Sequence, residues 1–272
     1  MSERITKELK RIIYGVIPYY ISQIFCPKSK KMIYYKYIIQ YGEAHHLFLF
    51  RHEYDNFETE THYDSRCGLP YVFLPGTEKR LYFKKELKME KVKGLFKTLL
   101  IEQDPRSPHR YFDDIKDFND RILLDVGAAE GILSLMAIEQ VSHVYLFECE
   151  EEWVAALKKT FEPWQEKVTI VPKYVGDHDD DMTLQLDSFF KSNPHQKLFI
   201  KMDIEGMERK ALNGAKRLFS EPGNIKFAIC TYHLRDDYQV ISSFLKRYKC
   251  TFINQTGYWS HHIKSILLRG HN

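Results

Sequence analysis

The stretch RILLDVGAAEG at residues 121–131 constrains what this chain can fold into more than any other. Apolar Ile122, Leu123, Leu124 and Val126 read as a short buried strand, a small-residue turn follows, and residues 132–138 are patterned as a helix. A strand, a glycine-containing turn and a helix in that order aim the free N–H groups of the helix start at a ligand. Gly127 and Gly131 would let backbone and ligand approach closely. A second apolar run, HVYLFE at 143–148, ends in Glu148, 23 positions after Asp125. In nucleoside-binding α/β folds an acid at about this distance (~20 residues), at the tip of the second strand, accepts hydrogen bonds from ribose hydroxyls. The expected ligand carries a ribose.

The spacing of the glycines narrows the choice. A dinucleotide fingerprint, G-x-G-x-x-G, needs its second glycine where backbone meets a pyrophosphate, and here that position is Ala129. S-adenosylmethionine offers adenosine without phosphate, and Asp125 and Glu130 would suit its amino group. Taken alone, the motif is only moderately specific, and a glycine turn that serves strand-to-helix packing is the alternative.

At 272 residues the chain can bury a large core in one enlarged domain or two modest ones. A net charge of +3, with no RNA-binding signature or zinc spacing, gives no reason to expect nucleic acid or metal. The doublets His45-His46 and His261-His262 read as surface. Five scattered cysteines, Cys26, Cys67, Cys149, Cys230 and Cys250, read as reduced thiols in a cytoplasmic protein. Near the N-terminus, residues 12–25 (IIYGVIPYYISQIF) are apolar and flanked by Lys7, Lys10, Arg11 and by Lys28, Lys30, Lys31. The run is shorter than the about 20 apolar residues a membrane helix needs, and no signal-peptide cleavage site follows it. An amphipathic helix docked on the body is preferred to a membrane-surface anchor.

Residues 1–120 lack strand–helix alternation. Within them, YVFLPGTEKRLYF at 71–83 reads as a hairpin about Pro75-Gly76, and 88–102 as a helix. From residue 121 to the end, strands and helices alternate, with further strands at 167–171, 197–204 and 225–232. The alternation predicts an α/β fold, a doubly wound, mainly parallel sheet with helices on both faces. Two closing strands, at 251–254 and 263–268 and separated by a Gly257 turn, suit an antiparallel edge. The chain thus divides into an N-terminal α+β cap, 1–120, and a ligand-binding domain, 121–272.

Three groups carry candidate chemistry. In KMDIEGME at 201–208, strand parity places Lys201, Asp203 and Glu205 on one side at the carboxyl end of the fourth strand, where ligands of open α/β sheets bind. A buried Lys201–Asp203 pair is the structural alternative. CTYH at 230–233 ends the fifth strand, and His233 there has the pKa range for base work near neutrality. In the loop before the first strand, Arg106, His109 and Arg110 are candidates for holding an acceptor, the arginines by clamping a carboxylate or phosphate.

Together, DVGAAEG, LFE, Leu186-Asp187 and KMDIEGMERKAL..GA resemble, in order and spacing, the FkbM family of S-adenosylmethionine-dependent methyltransferases over residues 121–269. EQDPRSPHRYF and CTYH look like features of one bacterial branch. The resemblance implies a seven-stranded Rossmann-like fold and O-methylation, often of sugars or other secondary metabolites. By position, Asp125, Gly127, Ala128, Glu130 and Gly131 would line the methionine part of the cofactor, and Glu148 would bind the ribose. Gly176 and Asp177 would lie near the adenine, and Asp203 and Glu205 would face methyl group and acceptor, with Lys201 nearby. Many members have Asn where this chain has Ala129. The expected reaction is in-line transfer to a small-molecule or glycan hydroxyl, with His233, or failing it Asp203 or Glu205, taking the proton. Alternatives are transfer to nitrogen or carboxylate, and a non-catalytic scaffold that uses the N-terminal region to bind a membrane surface or partner; the intact Glu148 and KMDIEGME box weigh against the scaffold.

Overall fold

Eight strands form the main sheet: β1 (His46–Leu47), β2 (Ile122–Val126), β3 (His143–Phe147), β4 (Val168–Val171), β5 (Leu198–Met202), β6 (Ile225–Cys230), β7 (Thr251–Trp259) and β8 (His262–His271). The computed structural model describes residues 2–42, 46–190, 197–221 and 225–272. Sheet order is β1-β7-β8-β6-β5-β2-β3-β4. Strands β2 to β6 are parallel to one another, whereas β8 runs antiparallel to β6 and β7 antiparallel to β8. The mainly parallel α/β sheet expected from the alternation, with the seven strands that the resemblance implies, is present as β2–β8. An eighth strand, β1, comes from the N-terminal region and pairs antiparallel with the end of β7.

All five residues of β2 and of β5 are buried, as befits central strands covered on both faces. Side-chain alternation divides them between two cores. Leu123 and Phe199 pack with Val72, Phe83, Val92 and Phe96, while Leu124 and Ile200 pack with Leu212, Phe219, Ile241 and Leu245. Two residues beyond Leu123 and Phe199, Asp125 and Lys201 stand in register on adjacent strands and share the cap-side face.

The cap contains the expected hairpin, Leu69–Phe73 paired with Arg80–Tyr82, and a third strand, His62–Asp64, that the pattern did not announce. Helix Met89–Glu102 buries Val92 and Phe96 in the same core as Leu123. Residue 120 thus marks a change of sequence pattern, while cap and sheet share one core.

The closing strands differ from expectation. They are longer, and Gly257 lies inside β7 opposite Lys264; the turn is Ser260-His261, both at positive φ (48° and 67°). Two left-handed residues make the tight turn whose twist matches a hairpin. Gly257 has another use, since a Cβ there would sit 2.8 Å from Pro108 Cγ in the loop that delivers His109. Of the histidine doublets, His46 stacks on Trp259 and His261 on Tyr14, with ring centroids 3.6 and 3.9 Å apart, while His45 lies outside the described residues. The five cysteines are free thiols.

Candidate active site

A cleft of about 650 Å³ opens at the carboxyl ends of β2, β3 and β5, lined by Val126, Gly127, Ala129, Phe147, Trp153, Val175, Ile204 and Met207 among apolar and backbone groups. Its charged lining is Glu148, Glu150, Asp203 and Glu205 against Lys173 alone. Such a wall favours a ligand with cationic character and opposes a pyrophosphate.

Glu148, just past β3, is held rigidly. One carboxylate oxygen accepts the Ala129 N–H (2.9 Å) and the other the Glu150 N–H (2.9 Å). Each oxygen keeps lone-pair capacity for a further donor, which suits a ribose diol. The turn uses its other N–H groups internally: those of Gly127 and Ala128 both donate to the Phe147 carbonyl. Gly127 lies on the cleft wall and Gly131 does not, and both make room for other parts of the protein. A Cβ on Gly127 would meet the Asp203 carbonyl at 2.1 Å, and one on Gly131 would meet Leu157 at 2.7 Å.

Beside the cleft, Asp203 is the centre of a polar cluster. It is half-buried, yet its carboxyl is held below the ordinary range: desolvation pushes upward, and His109, Lys201 and the Tyr111 hydroxyl outweigh it. Tyr111 donates to Oδ2 at 2.7 Å and Tyr232 to Oδ1 at 3.1 Å, while His109 Nε2 lies 3.8 Å from Oδ2. Burial pushes both phenols upward, so they remain donors. His233 stands between carboxylates. Its Nδ1 is 2.9 Å from fully buried Glu208, and its Nε2 is 3.4 Å from Asp203 and 3.7 Å from Glu205. Burial lowers its pKa, but Glu208, Asp203 and Glu205 prevail and the net shift is upward. Glu208 also accepts the Ile204 N–H at 2.8 Å, which fixes it under the ring. Among the described residues, Asp203, Glu208 and His233 form one grouping with metal-ligand atoms within 4.8 Å of one another, and His109, Asp203 and Cys230 form another.

The structure brings together Gly127, Glu148, Asp203, Glu205, His109 and His233 from the residues singled out in the sequence. Others lie elsewhere. The ammonium of Lys201 is paired with Asp125 rather than Asp203: it lies 3.1 Å from the Asp125 carboxylate and donates to the Gly127 carbonyl. Asp125, buried and also bonded to Ser134 Oγ at 2.6 Å, supports the turn from beneath and is not on the cleft wall. Ala128 packs into the core. Glu130 is buried, where desolvation pushes its carboxyl up to about 7 against the backbone N–H groups of Glu130 and Ile132, so the helix start serves this side chain. Gly176 pairs with Leu184 and packs on Gly214, and Asp177 is exposed and paired with His178; Lys173, Tyr174 and Val175 line the cleft in their stead.

Arg106 and Arg110 are also spent on the protein itself. The guanidinium of Arg106 is gripped by Asp104 and Glu53, and that of Arg110 donates to the carbonyls of Phe112 and Gln103. Glu205 is exposed rather than buried, on a turn where it and Gly206 both have positive φ. Sequence reasoning missed Tyr111, Tyr232, Glu208, Trp259 and Glu102. The last, at the end of the cap helix, is pushed up to about 8 by burial and by the charges of Asp203 and Glu130. Only the KMDIEGME spacing, with Glu208 one helical turn beyond Ile204, offered a signal for any of them.

A doubly wound sheet with an acidic cleft at its carboxyl edge, and an acid at the tip of the strand after the glycine turn, defines a Rossmann-like α/β domain. Residues 125–253 match the profile described as "Methyltransferase FkbM domain". Among solved structures, an FkbM methyltransferase from Methylobacillus flagellatus is similar at 17% identity and a TM-score of 0.47, over 66% of this chain and 54% of that one. This chain therefore spans about half the length of that protein. A candidate methyltransferase from Streptococcus mutans, solved in complex with SAH, is 12% identical over 57% of this chain and 93% of its own, with a TM-score of 0.40. An O-methyltransferase family protein from Burkholderia thailandensis is 13% identical over 58% and 52%, with a TM-score of 0.39. No curated protein matches the chain.

Proposed function

We propose that the protein is an S-adenosylmethionine-dependent O-methyltransferase acting on a hydroxyl of a small molecule or glycan. The observation that carries this reading is the juxtaposition of an acidic cleft, holding an immobilised Glu148, with the His233–Glu208–Asp203 cluster at its edge. The residues fit the cofactor: Glu148 has acceptor capacity left for two ribose hydroxyls, Phe147, Trp153 and Val175 offer apolar surface for adenine, and the carboxylates suit a sulfonium. S-adenosylmethionine, when bound, supplies an electrophilic methyl group. The protein's own part is to hold the acceptor in line and to receive its proton.

His233 Nε2 is the base in this scheme, with Glu208 at Nδ1 fixing the ring and stabilising the imidazolium that forms. Asp203, ionised and held by two phenols, cannot readily take a proton, so its part is to orient the acceptor hydroxyl and stabilise positive charge. His109, whose burial favours the neutral ring, and Tyr232 complete the acceptor wall.

Calorimetric titration with S-adenosylmethionine tests the cofactor. Wild type should bind, and Glu148→Ala should lose about 1.5–3 kcal/mol for each charge-assisted bond removed. Equal affinity of the two proteins would remove Glu148 from the site.

A further inference from the structure

The N-terminal segment is helical from Ser2–Arg11 through a π-helical turn, Ile12–Val16, to Ile17–Phe25. One side is firmly docked. Gly15 is pressed so close to Ile38 of helix Met32–Tyr41 that a Cβ would stand 2.9 Å from it, and Tyr14 and Tyr19 join the cluster of Tyr35, Ile38 and Tyr258. The other side carries Leu9, Ile13, Ile17, Ile21, Ile24 and Phe25, all exposed, with Ile24 at 74% and Phe25 at 76%. Successive spacings of four, four, four and three residues from Leu9 to Ile24 place them along one face. A stripe of this length on a docked helix is unlike scattered surface leucines and marks a contact surface.

Charge identifies the occupant. Residues 1–41 hold eight Lys or Arg and two Glu, whereas the rest of the chain has 32 basic and 35 acidic residues. Lys7, Lys10 and Arg11 lie toward one end of the stripe and Lys28, Lys30 and Lys31 lie past the other. A second copy of the chain laid on this face would bring like charges together in either direction. An anionic lipid surface meets the apolar stripe and both basic ends at once. No helix among the described residues is long and apolar enough to cross a membrane, so the stripe would lie in the plane of the headgroups.

We propose that this face is an anchor to anionic membrane surfaces. It is tied to the acceptor side of the site through one hairpin: Tyr14 stacks on His261 and Tyr34 on Tyr258, and Trp259 between them packs against Tyr232 with ring centroids 4.6 Å apart. Membrane attachment would therefore bring the acceptor wall close to lipid-borne hydroxyls.

The test is co-sedimentation of the full chain with vesicles of phosphatidylcholine alone and of phosphatidylcholine mixed with phosphatidylglycerol. Binding to the mixed vesicles should exceed binding to neutral ones by about tenfold or more and weaken with salt. The variant Ile17→Ser/Ile21→Ser/Ile24→Ser should lose at least about tenfold in vesicle affinity while keeping wild-type circular dichroism and S-adenosylmethionine affinity. Lys28→Gln/Lys30→Gln/Lys31→Gln should lose the preference for the anionic lipid. Failure of wild type to sediment with mixed vesicles, equal binding by the isoleucine variant, or a dimer that this variant dissociates without any vesicle binding would each overturn the proposal. Because cofactor affinity is read separately, loss of the anchor is distinguishable from loss of the methyltransferase assignment.

Discussion

Ala129 shows how a single backbone angle carries information. Its φ of 46° lies in the left-handed region, which disfavours a residue with a Cβ by about 1 kcal/mol or somewhat more, and its N–H must point at Glu148 for the site to form. Ala129→Gly should therefore raise stability by about 1 kcal/mol, seen as a higher Tm, and an unchanged or lower Tm would refute the strain. Lys201 is the opposite case, a residue whose loss exposes its partner. Lys201→Met would strand the buried Asp125 carboxylate and should cost about 3–5 kcal/mol in chemical denaturation, far more than a surface ion pair is worth. At this scale the sequence was partly legible. Glu148 and His233 stand at the ends of recognisable strands, whereas Glu208, Tyr111 and Tyr232 acquire meaning only from the side chains they meet. Parity along β5 correctly put Lys201 and Asp203 on one face, but the partner of Lys201 sits on the neighbouring strand, and register between strands is not written in either one.

At the scale of elements, the hydrophobic periods were reliable and the connections were not. The apolar runs of β2, β3, β5 and β6 and the helix Met89–Glu102 follow directly from pattern, because buried strands and amphipathic helices need those residues. Gly257 misled because glycine serves close approach as readily as it serves a turn, and here it admits Pro108. Ser260-His261 carries no strong turn signal, yet it closes the hairpin. The cap helix packs into the core of the sheet through Phe96, which is fully buried. Phe96→Ala should cost about 3–5 kcal/mol and lower one cooperative transition that cap and sheet share; two separate calorimetric transitions would show that the cap folds by itself.

For the whole molecule, pH is the clearest lever. If His233 must be neutral to accept a proton, the methyl-transfer rate should rise with pH through a value above the ordinary 6.5 of histidine, since the carboxylates around it raise its pKa. Glu208→Gln should move that limb to lower pH, and an unmoved profile would dismiss the pairing. Stability follows the same signs. The contribution of His233 is fully present below about 6.5 and is lost as pH rises through the raised folded value. That of Asp203 is present above its ordinary range and is lost as pH falls through its lowered folded value. What this sequence determined by itself was the order of strands and helices, the glycine turn and the acid 23 positions on, because these depend on local period and spacing. Only the tertiary structure decided that Arg106, Arg110, Lys201 and Asp125 are paired within the protein, that Glu208 meets His233 while two tyrosines meet Asp203, and that one face of the N-terminal helix stays bare. Each of those outcomes depends on which side chains from distant segments arrive together, and on which are left without a neighbour.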